Sequence, residues 1–144
     1  MALQPGLNAR VGAVVGQSMT ARGQGSGEVD GLATPAMIAL MESAAVKAVA
    51  RELAPDLTTV GARVEVTHLA PTPVGMRVEA RATLLEVEGR QLIFAVSAED
   101  EAGVIGSGTH ERVVVRRRGF AEKIEGRRVE AGLTFAGPSE RSGG

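Results

Sequence analysis

The sequence predicts an α+β protein in which one antiparallel sheet wraps around a single long, buried helix. Two patterns carry this prediction. A stretch near residue 40 is apolar nearly all the way round, and the segments after it alternate apolar and polar residues between short turns. With 144 residues and 44% hydrophobic content the chain suits one domain with a real core. The absence of cysteine excludes disulfides and thiolate metal sites.

In chain order, Arg10 to Thr20 reads as a first strand on Val11, Val14 and Val15, and ARGQGSGEVDG follows as a flexible loop. A helix is predicted from Leu32 to about Ala54, with Thr34 as N-cap, Pro35 at the first helical position and Pro55 ending it. Between Ala33 and Val46 only Thr34, Glu42 and Ser43 are polar, so the helix is expected to be buried on most sides. A membrane span is disfavoured by Glu42 and Lys47 in its middle and by Arg51 and Glu52 at its end.

Beyond Pro55 the period changes to two. Ala62, Val64 and Val66 alternate with Arg63, Glu65 and Thr67, and Val78, Ala80, Ala82 and Leu84 alternate with charged or polar neighbours. The chain turns at Glu88 and Gly89 into Leu92, Phe94, Val96 and Ala98, and a last strand runs from about Val104 to Arg116. Residues 1–120 are read as the domain and 121–144 as a weakly ordered tail. One such sheet has open edges and cannot cover the helix alone, so a homodimer is expected, with a tetramer as the next assembly.

Composition narrows the function. A net charge of −1, from 16 basic and 17 acidic side chains, gives no overall attraction to nucleic acid or to an anionic membrane. Three Phe and no Trp or Tyr argue against base-stacking platforms and aromatic cages. Met1 to Arg10 show no basic segment leading into an apolar run, so a cytoplasmic protein is expected.

The candidate chemistry centres on Glu42, whose helical neighbours Ile38, Ala39, Ala45 and Val46 are all apolar. Burial would raise its pKa and suit it to acid–base work, and the alternative is an ion pair with an Arg of the sheet. His68 is in phase with Val64 and Val66, which points its ring toward the helix if the strand stays regular. Thr34 marks a helix N-terminus, where unpaired N–H groups suit an oxyanion or thioester carbonyl; Pro35 has no N–H, so Ala36 would supply one. Two histidines without a helical HExxH pair predict no metal, and neither glycine-rich stretch follows a dinucleotide or Walker pattern, so no cofactor is expected. Ser43 lacks the context of a serine hydrolase. Arg116, Arg117 and Arg118 read either as a solvated strand end or as contacts for the phosphates of a nucleotide-bearing substrate.

Three segments, ATPAMIALMESAAV, VGARVEVTHLAPTPVGM and IGSGTHERVVV, together resemble the fluoroacetyl-CoA thioesterases and their relatives among the hotdog-fold thioesterases. The resemblance covers roughly residues 32–118 and implies a dimeric acyl-CoA thioesterase with Thr34, Glu42 and His68 as its active site. It further implies that the backbone amide of Gly61 helps hold the thioester carbonyl. The fluoroacetate-resistance enzymes carry a longer, phenylalanine-bearing lid before the helix, whereas here no aromatic residue precedes Phe94. A small or medium acyl group other than fluoroacetyl is therefore expected. The competing readings are a non-catalytic acyl-CoA or small-ligand binding protein and a hydratase of enoyl thioesters with the same fold.

Overall fold

The computed structural model describes residues 3–133. Five strands, β1 (Asn8–Val14), β2 (Leu57–His68), β3 (Arg77–Glu88), β4 (Gln91–Asp100) and β5 (Gly103–Arg116), form one sheet in the order β1-β3-β4-β5-β2. All four pairings are antiparallel. The long helix lies across the sheet, and β1 and β2 are the edges. The α+β architecture of the sequence reading is thus present.

Period two places Val78, Ala80, Ala82 and Leu84 of β3 and Leu92, Phe94, Val96 and Ala98 of β4 on the helix side, where all are buried. Alanines in β3 leave room for Met37 and Met41 of the helix, both fully buried. Close approach is also enforced from β5, because a Cβ on Gly106 would stand 2.6 Å from Met37 Sδ.

Several elements differ from expectation for identifiable reasons. The first strand ends at Val14, and the loop after it is closed on itself. It contains a one-turn helix α1 (Ala21–Gln24), capped by Thr20 Oγ1 accepting from Gly23 N–H, and Arg22 N–H donates to the Val29 carbonyl at 3.0 Å. The long helix α2 (Thr34–Val49) is shorter than the predicted span from Leu32 to Ala54, and its N-cap is Ala33, one residue before the predicted Thr34. It then tightens into a 3₁₀ turn at Ala50–Glu52.

Burial of α2 is one-sided. Ala36, Met37, Met41, Ala44, Ala45, Ala48 and Val49 are buried, while Ala39, Ser43 and Val46 are exposed. A single sheet covers only one stripe of an all-round apolar helix, so the open face is what a second chain would have to cover.

Part of the predicted tail is helical. Helix α3 (Arg117–Glu130) is laced by ion pairs three or four residues apart, Arg118–Glu122, Arg128–Glu125 and Arg127–Glu130, and Gly132 ends it at φ 73°. Its mostly charged surface lacks the apolar stripe that would have announced it. Residues 134–144 of the predicted tail lie outside the described residues. No helix among the described residues is long and apolar enough to cross a membrane.

Candidate active site

A cleft of about 740 Å³ opens between the start of α2, the end of β2 and the loop after β1, and Thr34, Glu42 and His68 all line it. Backbone bonds fix its walls: Leu32 N–H donates to the Thr72 carbonyl at 2.8 Å and Ala33 N–H to the Met19 carbonyl at 2.8 Å. Val29, Ile38 and Leu69 make its lining predominantly apolar.

At one end, Thr34 Oγ1 lies 2.8 Å from His68 Nδ1. The hydroxyl is free for this contact because Ala33 rather than Thr34 occupies the N-cap, which corrects the predicted capping role. His68 Nε2 is buried and is the buried side-chain nitrogen or oxygen left without a hydrogen-bond partner among the described residues. An orphaned imidazole nitrogen costs stability unless something pairs with it. Ala36 turns its methyl into the core and does not line the cleft. Its N–H nevertheless lies in the open first turn, since the first helical bond is Met37 N–H to the Ala33 carbonyl.

Glu42 is eight residues along α2, a rise of about 12 Å. Its side chain is 40% exposed, so the fully buried carboxyl group of the first sequence reading is not found. The alternative reading is: Glu42 Oε2 sits 3.4 Å from Nη1 of Arg112 on β5. Arg112 is buried and also donates from Nε to Thr59 Oγ1 at 2.8 Å and from Nη2 to the Thr59 carbonyl at 3.0 Å. Burial lowers the Arg112 pKa from its ordinary value, and the Glu42 carboxylate opposes that shift.

His110, fully buried beside Arg112, is fixed as the neutral Nδ1–H tautomer. Its Nδ1 must donate to the Arg63 carbonyl at 2.8 Å, which leaves Nε2 to accept from Arg112 Nη1 at 3.1 Å. Its 3.8 Å approach to Glu42 is therefore not an ion pair.

Gly61 belongs to the same group, because a Cβ there would come 2.7 Å from Glu42 Oε2. Gly61 and His68 have opposite parity, yet both face the helix. A bulge between Gly61 and Arg63 shifts the register by one residue, from Gly61↔Arg112 to Val64↔His110, and resets the alternation.

Sequence reading missed Arg112, His110 and Thr59. The signal was available: His110 and Arg112 fall in phase with buried Val114 along β5, and a charged residue at an inward position calls for a partner. Arg116 and Arg117 lie elsewhere, in a separate hollow with Asp56 and Glu122. Arg116 pairs with Leu57 at the opposite end of β2 from His68, roughly 30–35 Å away along the strand.

Comparison with known proteins agrees with this architecture. The family described as fluoroacetyl-CoA-specific thioesterase, FlK, matches residues 15–118. The fluoroacetyl-CoA thioesterase of Streptantibioticus cattleyicolor is 47% identical over 92 residues, which are 64% of this chain and 66% of that protein, just under two thirds of its length. The solved structure of the fluoroacetyl-CoA thioesterase FlK superposes with a TM-score of 0.81 at 37% identity, covering 87% of this chain and 97% of that one. A thioesterase superfamily member from Thermus thermophilus gives a TM-score of 0.82 at 31% identity over 90% and 98% of the two chains. From the match across most of the domain, with the helix, sheet and cleft described above, the chain belongs to the fluoroacetyl-CoA-specific thioesterase family and has the hotdog fold.

Proposed function

We propose that this protein hydrolyses an acyl-CoA thioester with a small or medium acyl group to the free acid and CoA, acting as a cytoplasmic homodimer. The observation that carries the reading is the Thr34 hydroxyl 2.8 Å from His68 Nδ1 in an apolar cleft, with the other ring nitrogen unpaired. This is the geometry of a nucleophile beside its base. Thr34 Oγ1 attacks the thioester carbon while its proton passes to His68. The C–S bond then breaks, and the sulfur leaves as the thiol with that proton. A water then gives a proton to the same imidazole as its oxygen attacks the threonyl ester; the bond from the acyl carbon to Oγ1 breaks, the imidazolium returns the proton to Thr34 Oγ1, and the acid is released. The role of stabilising the carbonyl oxygen falls in this reading to Ala36 N–H, which precedes the first helical hydrogen bond of α2.

Glu42 and Gly61 stand too far along one chain to touch the Thr34 carbonyl site, and a second copy resolves this. β2 is an edge strand whose Arg63, Val64 and Glu65 are exposed. Antiparallel pairing with another β2 about Val64 sets each Arg63 opposite the partner's Glu65 and covers Val64 with its own copy. The same pairing carries the partner's Gly61 and the partner's Glu42 toward His68. Glu42, positioned by Arg112, then orients the water of the second step, and Gly61 N–H faces the carbonyl from the other side.

The test is thiol release from a panel of acyl-CoA esters, acetyl through long chain with fluoroacetyl and arylacetyl, by wild type, Glu42→Gln and His68→Ala. Release by wild type that both substitutions reduce strongly supports the reading, and the panel identifies the acyl class. Saturable binding without release would favour a binding protein, and a change in enoyl absorbance with the thioester intact would favour a hydratase.

A further inference from the structure

The arginines at the β5–α3 junction have no role in the cleft of their own chain, yet their charge is not consumed locally. Among the described residues neither Arg116 nor Arg117 has a carboxylate partner within ion-pair distance. Arg117 is held only by its Nε donating to the Pro55 carbonyl at 3.0 Å and its N–H donating to the Asp56 carbonyl at 2.8 Å. Arg118 is spent on an exposed pair with Glu122 at 3.5 Å. Arg116, Arg117 and Arg118, with Asp56, Gly119 and Glu122, line a hollow of about 510 Å³.

Resting on the dimeric thioesterase reading above, we infer that Arg116 and Arg117 of one subunit bind the phosphates of the CoA substrate whose acyl group occupies the cleft of the other subunit. The reach follows from strand geometry. With β2 paired to its own copy about Val64, His68 lies four residues from the twofold axis, about 13 Å. The partner's Leu57 lies about 20 Å from the axis on the same side once the bulge is discounted. The partner's Arg116 is opposite that Leu57, one strand further out, which places it on the order of 12 Å from His68. A pantetheine arm is comparable to about four extended residues, ~13 Å, so a thioester at Thr34 and His68 sets its diphosphate beside these arginines. Within one chain the separation exceeds that reach more than twofold. Guanidinium forks suit phosphate oxygens, and two of them without a carboxylate at ion-pair distance are available for it.

Two measurements test this without depending on each other. Calorimetric titration with free CoA reads the phosphate site whether or not any ester is hydrolysed: Arg116→Ala with Arg117→Ala weakens CoA binding at least tenfold and flattens its salt dependence. Because Arg117 also anchors Pro55, Arg116→Ala alone is measured beside it, with thermal melts of both, and is expected to weaken CoA severalfold at unchanged melting temperature. Unchanged CoA affinity in both variants overturns the proposal while leaving the thioesterase reading intact.

The second measurement uses mixed dimers that join a His68→Ala subunit with intact arginines to a subunit that has intact His68 and lacks both arginines. The ratio of kcat/KM for an acyl-CoA over the same acyl-pantetheine stays at the wild-type value if the arginines act across the twofold. A ratio reduced tenfold would place them in their own subunit and overturn the assignment. Absence of hydrolysis of either ester would count against the thioesterase reading instead, with the calorimetry still deciding the phosphate site.

Discussion

The two ends of the cleft are built on opposite principles. Around Glu42 the polar groups are mutually paired: Arg112 donates to Thr59, His110 and Glu42, and His110 in turn donates to a backbone carbonyl. Around Thr34 there is one hydrogen bond and one orphaned nitrogen. The saturated end holds charge and shape, whereas the unsaturated end leaves a buried ring nitrogen without a partner, the group that the proposed mechanism uses. Stability should therefore reside at one end and reactivity at the other.

The sharpest way to break that contrast is His68→Ala. Removing the proposed base should lower kcat by about 10²–10⁴, while urea unfolding should shift little because no strong network is lost. A large loss of stability would show that His68 is structural. Arg112→Ala should do the reverse. It leaves a cavity and strips donors from Thr59 and His110, at a cost of about 2–4 kcal/mol by chemical denaturation. The ion pair itself contributes little of this, since Glu42 is 40% exposed.

Gly61→Ala is intermediate. The added methyl group meets the Glu42 carboxylate at 2.7 Å, and the flexible side chain yields, so about 1 kcal/mol of stability is lost. Activity should fall by more than that, since the carboxylate is displaced, and paired melting and thiol-release assays separate the two effects.

The smallest effect lies outside both ends. Asp100 has its pKa lowered from 3.8, first by the Thr72 hydroxyl and then by the Ala102 N–H. A depressed carboxyl pKa contributes stability above the ordinary value and loses it as pH falls through the folded value. Thr72→Val should therefore flatten the acid limb of stability below about pH 4 and leave kcat near neutral pH unchanged. A stability curve measured from pH 2 to 7 checks this.

The contrast also explains what could be read from the sequence. Alternation in β3 and β4 and the alanine-rich run of α2 announce the sheet and its helix, because burial alone dictates those patterns. Thr34, Glu42 and His68 were legible as candidates through position: a helix start, an isolated charge and an inward imidazole. The saturated network was not, since Arg112 and His110 depend on partners from β2 brought together by the register. The bulge at Gly61 leaves no signature stronger than a glycine in a strand. Helix α3 was hidden by its polarity, and α2, apolar nearly all the way round, is buried by its own chain on one side only.

The most direct test of the central claim is a stopped-flow measurement of thiol release on the best CoA ester, comparing wild type with Thr34→Val and His68→Ala after each is shown to be folded. The account predicts release by wild type and a loss of at least a hundredfold in both variants, with equal melting temperatures because neither substitution removes a helix cap. Undiminished release from folded His68→Ala would contradict it and move the chemistry to the Glu42 end of the cleft.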